Sequence, residues 1–268
     1  MAERLPVLFV SHGAPDAALG RNDYTRALGV FGQRLSPRAA VVLSAHWEEP
    51  QPVHLTGAER TEVFHDFGGF PPELYELRYP APGDPSLAAE IASLLEKDGV
   101  RAVVDRARKL DHGAWVPLRL LYPAADVPVV VLSLPRPRTP ELLSRIGEIL
   151  APLRERGVLL VGSGGVVHNL ARLRFGEKEA PVDDWAREFD EWVARRLAER
   201  DFLAILSYRT NAPHASLAVP TPEHFDPIFF VLGAAQPGDR AETLYEGFEY
   251  GNLSLRTFAL RESGRREE

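Results

Sequence analysis

Short, continuous apolar runs alternate along this chain with longer stretches in which apolar residues recur every third or fourth position. The continuous runs are residues 5–10 (LPVLFV), 39–44 (AAVVLS), 101–105 (RAVVD), 128–134 (PVVVLSL) and 158–162 (VLLVG). Runs of this length, rich in valine, read as strands covered on both faces. Residues 86–98 set Leu87, Ile91, Leu94 and Leu95 on one helical face, with Gly99 just beyond. Thr139 and Pro140 open another helix as N-cap and first helical residue. It is expected to bury Leu142, Ile146, Ile149, Leu150 and Leu153 and to close at Gly157. Trp185, Phe189, Val193 and Leu197 mark a third helix. Thr221, Pro222 and Glu223 open a fourth, through Phe229 and Leu232 to Gly233. This alternation predicts an α/β fold with a mixed, largely parallel central sheet and helices on both faces. No linker interrupts it, so residues 1–268 read as one domain, with its core near residues 5–260. Residues 62–85 (EVFHDFGGFPPELYELRYPAPGDP) are too irregular for plain scaffold, and long loops in compact folds usually carry function.

Composition narrows the possible chemistry. At 45% hydrophobic and 26% charged, the chain is ordinary globular material. A net charge of −7 argues against a nucleic-acid partner, which requires clustered Lys and Arg. The absence of cysteine excludes disulfides, thiolate-held zinc, iron–sulfur clusters and a thiol nucleophile, and fits a cytoplasmic protein. No apolar run approaches the ~20 residues of a membrane helix. The apolar stretch of MAERLPVLFV is too short for a signal peptide and belongs to the first strand. The expected partners are therefore small molecules, with no nucleic acid and no membrane. A homo-oligomer is compatible with the sequence but not specified by it.

The chain has eight histidines. His12 in VSHGAP and His46 in SAHWE each follow an apolar run by two residues, and His168 in GSGGVVHNL follows a third. In parallel sheets the sites lie at the carboxyl ends of strands. If these three strands are neighbours, their imidazoles share one crevice. A single histidine near a strand end is more often a hydrogen-bonding loop residue, and His54, on an alternating run, keeps that reading. His224 in TPEHF falls in the first turn of the expected fourth helix, where the helix dipole disfavours protonation and a neutral, metal-ready imidazole results. No phosphate-binding glycine motif, GxSxG elbow or HExxH is present. Histidine ligands without thiolates fit zinc, iron, copper or nickel.

Taken together, SHGAP, SAHWE, HDFGGFPPELYELRYPAPGDP, DHGAW, GSGGVVHNL and PTPEHF resemble the class III extradiol ring-cleavage dioxygenases of the LigB-like superfamily, in the branch of the DOPA 4,5-dioxygenases. The resemblance runs in family order from about Leu5 to Phe258. It implies a non-heme, metal-dependent enzyme that inserts dioxygen into a catechol ring to give a muconic semialdehyde. By the same resemblance His12, His46 and His224 are the metal ligands and His168 is the acid/base. His112 lies beside substrate and dioxygen, and His65 and His214 line the substrate pocket. Fe(II) is the expected cofactor for activity, and Zn(II) could fill the same three-imidazole face. Where the wider superfamily completes its ligand set with Glu, this sequence offers His224. Glu223 is adjacent, but neighbouring helical residues point about 100° apart, so both are not expected on one metal. Two other readings stand beside this one: a zinc-dependent hydrolase, and a non-catalytic metal-binding adaptor of the same fold.

Overall fold

The computed structural model describes residues 4–262. The predicted strands are present as β1 (Val7–Ser11), β2 (Ala39–Pro50), β4 (Ala102–Asp105), β5 (Val129–Arg136) and β6 (Val158–Gly164), and β3 (Val53–Thr56) joins them. The sheet order is β4-β3-β5-β2-β6-β1, extended by the C-terminal strands β10 (Thr257–Glu262) and β7 (Asp239–Tyr245). β1 pairs with β6, and β2 with both β5 and β6, in parallel. β10 runs antiparallel to both β1 and β7, which makes the sheet mixed. The apolar-run reading did not locate these last two strands. A separate two-stranded ribbon pairs β8 (Phe248–Glu249) with β9 (Leu253–Ser254).

Every side chain of β1 is buried, so its run is uniformly apolar, yet alternate residues serve different cores. Val7 and Phe9 join one cluster, and Leu8 and Val10 the other. β2 divides in the same way, with Val41 and Leu43 on one side and Ala40 and Val42 on the other. Such two-sided burial is what a sheet covered by helices on both faces requires.

The first face carries α3 (Pro85–Lys97), α5 (Pro140–Leu150), α6 (Asp184–Glu199) and α10 (Pro227–Gly233), and the second carries α1 (Asp23–Gln33) and α4 (His112–Leu121). Shorter helices are α2 (Pro72–Glu76), α7 (Phe202–Leu206), α8 (Tyr208–Asn211) and α9 (Ala215–Ala218). α5 begins as predicted, with Thr139 Oγ1 accepting from Leu142 N at 3.2 Å and Pro140 in the first turn. Its fully buried stripe is Leu143, Ile146 and Leu150, and Leu142 and Ile149 pack half-buried against the same core. The α-helix ends at Leu150, and a 3₁₀ segment carries the chain to Gly157, whose φ of 73° makes the reversal.

Two expectations need correction. The fourth helix starts at Pro227 rather than Thr221, so His224 lies in the preceding turn and not in a first helical turn. His46 does not follow the end of a strand. β2 runs on to Pro50, but it stops pairing with β6 at Ser44, and its register with β5 shifts between Leu43 and Glu48. His46 stands in that irregular stretch, where a bulge re-aims a side chain.

Candidate active site

β2, β6 and β1 are adjacent at the middle of the sheet, so the carboxyl ends of β1 and β6 and the stretch where β2 stops pairing with β6 form one crevice. His12 follows β1, and its backbone N donates to Gly164 O at the end of β6. The turn bearing His224 is held against β6 by Gly165 N, which donates to His224 O at 2.8 Å. Gly164 permits that approach: a Cβ there would stand 2.0 Å from His224 O. Gly113 does the same beside His46, since its Cβ would meet Ser44 Oγ at 2.7 Å and His46 Cδ2 at 2.9 Å. These close approaches explain Gly164 of GSGG and Gly113 of DHG.

The side chains converge. His46 Nε2 lies 3.0 Å from His12 Nε2 and 3.2 Å from His224 Nε2. Three imidazoles cannot satisfy one another at such distances as mutual hydrogen-bond partners. At a metal–nitrogen distance of about 2.1 Å, ligands at tetrahedral or octahedral angles lie roughly 3.0–3.4 Å apart. The observed spacing fits one shared cation, and the donor set suits zinc or a non-heme iron alike.

The other ring nitrogens are arranged to leave Nε2 free. Ser163 Oγ gives its single proton to Gly113 O, so it accepts from His12 Nδ1 at 3.0 Å. That fixes the His12 tautomer and occupies the one hydroxyl that could have been mistaken for a nucleophile. Glu223 Oε1 stands 3.1 Å from His224 Nδ1 and holds that ring in the same sense. Asp66 Oδ2 lies 3.5 Å from His46 Nδ1. Partners of this kind orient imidazole ligands and raise their basicity. Glu223 therefore acts on His224 from outside the trio instead of replacing it.

Burial, more than any helix dipole, keeps the cluster neutral. It pushes the His12 and His224 pKa values well below the ordinary imidazole range, and mutual repulsion among the histidines adds to this. His46 is lowered to about 3, chiefly by burial and then by His112. His168 is lowered to about 4 by burial, with Glu223 opposing. An imidazole in the unfolded chain protonates near 6.5. Between that pH and about 4 the unfolded state binds more protons, so metal-free protein loses stability as the pH falls. The slope is about 1.4 kcal/mol per pH unit for each such imidazole. Urea midpoints measured with chelator present should fall clearly from pH 7 to pH 5; a constant midpoint would contradict this charge state.

Two further imidazoles face the trio. His168 stacks on His224 with ring centroids 3.5 Å apart and planes 7° apart, its backbone N donating to Ala218 O. His112 opens α4, its ring centroid 3.9 Å from that of His46. Asp66 Oδ1 accepts from His112 N at 2.9 Å. Asp66 Oδ2 sits 3.0 Å from His112 Nδ1, at ion-pairing distance though out of line for a hydrogen bond. Asp111 caps α4 through Ala114 N and receives Ser44 Oγ at 2.6 Å, tying α4 to β2.

The five histidines line a cleft of about 680 Å³, inside the range of roughly 300–1,000 Å³ usual for small-molecule sites. His65 and His214, expected in this pocket, are not among its lining residues. The chain around residues 63–64 runs extended beside Leu110, so successive side chains point opposite ways. Asp66 thus meets the histidines, while His65 turns to Trp115 and Tyr75, with ring centroids 5.9 Å away in each case. His214 adopts φ 54° before α9, and its Nε2 lies 2.8 Å from Glu188 Oε2 on the surface. His54 lies in β3 and takes no part. Asp66 and Ser163 were missed as site residues, although both lie in motifs already singled out; only their contacts distinguish them from their neighbours.

The profile of the family described as the catalytic LigB subunit of aromatic ring-opening dioxygenase matches residues 8–255. This chain belongs to the LigB family. It is 38% identical over 257 residues to a 4,5-DOPA dioxygenase extradiol of Escherichia coli (strain K12), covering 94% of this chain and 93% of the relative. The protein of the same description from Beta vulgaris is 36% identical over 261 residues, covering 93% and 94% respectively. A crystal structure of an uncharacterised protein from Escherichia coli K12 superposes with a TM-score of 0.80 at 33% identity, covering 96% of this chain and 99% of that one. The LigB chain described here is an extradiol ring-cleaving, metal-dependent dioxygenase that acts on a small molecule and dioxygen. The hydrolase and adaptor readings are not favoured. No helix among the described residues is long and apolar enough to cross a membrane.

Proposed function

We propose that this dioxygenase opens the ring of a DOPA-like catechol beside its diol, giving a muconic semialdehyde, with Fe(II) held by His12, His46 and His224. The observation that carries this reading is the meeting of three Nε2 atoms at 3.0 and 3.2 Å in a cleft that also holds the imidazoles of His112 and His168. A bound redox-active metal would supply catechol binding, acidification of its hydroxyls and an electron path to dioxygen. The chain's own groups do the rest. His168, held neutral, accepts a hydroxyl proton of the catechol and later returns it. His112, positioned by Asp66 through its backbone N, donates toward the oxygen side of the site. Phe67 and Phe70 line the cleft and give the ring an apolar wall. The description of the relatives as 4,5-DOPA dioxygenases supports DOPA as the substrate. The reading extends to residues 1–268 as a single catalytic domain, working in the cytoplasm without a nucleic-acid partner.

The test is anaerobic reconstitution with Fe(II) or Zn(II), followed by a panel of catechols in air. Iron-loaded protein should consume oxygen and form a yellow product with DOPA. Zinc-loaded protein should bind catechol without oxygen uptake, because zinc has no redox chemistry. Equal oxygen uptake with zinc, or none with iron across the panel, would sink the proposal.

A further inference from the structure

Apart from the histidines, the described residues lining the cleft include one acidic and one basic side chain, Asp16 and Lys178. The remaining wall is largely apolar, with Phe67, Phe70, Phe175, Leu170, Leu173 and Leu253 contributing. Lys178 Nζ stands 3.3 Å from Asp16 Oδ2. Behind it, Glu249 Oε1 lies 3.2 Å from the same Nζ, and its side chain is only 9% exposed. Tyr250 adds its ring, with the centroid 6.0 Å from Nζ. Asp16 Oδ1 is buried and has no donor among the described residues.

Such an arrangement can exchange partners. A zwitterion laid against it would replace the contact between Asp16 and Lys178 with two new ion pairs of correct sign. Lys178 would meanwhile keep Glu249, so no charge would be stranded. A lone carboxylate would instead face Asp16 and Glu249 as well as Lys178. A lone ammonium could reach Asp16 but would sit beside the lysine. The three protein groups together carry a net charge of −1, from two carboxylates and one ammonium. That ranks a cationic tail above an anionic one, and a zwitterion above both.

We propose that Asp16 and Lys178 form a tail subsite selecting catechols that carry an α-amino acid side chain, with the ammonium on Asp16 and the carboxylate on Lys178. The inference rests on the ring-opening reading for its catechol, but the subsite itself is read from the cleft wall. Altering the lysine side chain should leave its loop in place, because the backbone is anchored separately. Tyr250 N donates to Lys178 O, Arg174 N to Tyr250 O and Asp183 N to Gly251 O.

The experiment compares kcat/KM for DOPA, dopamine, 3,4-dihydroxyphenylpropionate and 4-methylcatechol in iron-loaded wild type, Asp16→Asn, Lys178→Met and Lys178→Arg. Equilibrium binding of the same compounds to zinc-loaded protein is measured without oxygen. Wild type should rank DOPA first, dopamine next and the propionate below both. In Lys178→Met the ratio of DOPA to dopamine should fall roughly tenfold, and Lys178→Arg should recover most of it. In Asp16→Asn the ratio of DOPA to the propionate should fall by a similar factor. Ring opening whose ratios are unmoved by either variant would overturn the subsite while leaving the dioxygenase reading intact. Binding that follows the predicted ratios without ring opening of any catechol would do the reverse.

Discussion

His46→Ala should retain about a hundredth or less of the wild-type affinity for Fe(II) or Zn(II), and at limiting iron its ring-opening rate should fall in step. The side chain sits at the centre of the trio, its Nε2 at 3.0 Å from that of His12 and 3.2 Å from that of His224. Structural zinc sites with four protein ligands gain about 10–16 kcal/mol, which is roughly 3 kcal/mol per ligand, or a factor of a hundred or more. Alanine also leaves the two remaining imidazoles without the third point that defines a face. Competition against a chromogenic chelator measures the affinity, and a urea melt of the metal-free variant shows that the fold has survived. Wild-type affinity in a folded His46→Ala protein would remove His46 from the ligand set.

The second large effect falls on turnover instead of metal binding. His168→Ala should hold metal within a few-fold of wild type while kcat drops by about 10²–10⁴, the usual yield of a positioned acid/base. His168 is held over the cleft by its stack on His224 and by its backbone bond to Ala218 O, and burial, lowering its pKa to about 4, leaves the ring deprotonated at neutral pH. Stacking alone could account for a smaller loss. His168→Phe separates the two roles, since it restores a ring against His224 but carries no base. If proton transfer is the role, Phe and Ala variants should be impaired alike. A Phe variant with near-normal kcat would reduce His168 to packing.

Much of the architecture was readable along the chain because burial on both faces makes a strand a continuous apolar run. β5 and β6 show this, and the capping pair Thr139 and Pro140 located the start of α5 to the residue. β7 was not legible, since its side chains are mostly half-exposed, and β10 (TFALRE) holds only three consecutive apolar residues, Phe258 to Leu260. The TPEHF segment misled because Thr-Pro-Glu has the composition of a helix start, whereas the backbone there serves to seat His224 against Gly164 and Gly165.

The candidate site divides along the same line. Position was enough to single out His12, His46 and His168, which stand just beyond apolar runs, and His224 in TPEHF, while His112 was singled out only by the family resemblance of its DHG motif. Their convergence depends on strand order, which no local pattern encodes: β2, β6 and β1 are neighbours although far apart in sequence. Side-chain direction was equally out of reach. Asp66 turns toward His112 and His46 while His65, one residue earlier, faces Trp115, and His214 is drawn to Glu188. The sequence by itself determined which groups could bind a metal and move a proton. Only the tertiary structure decided which of them meet, because a shared site is a property of distances between segments that the chain brings together by burying its sheet.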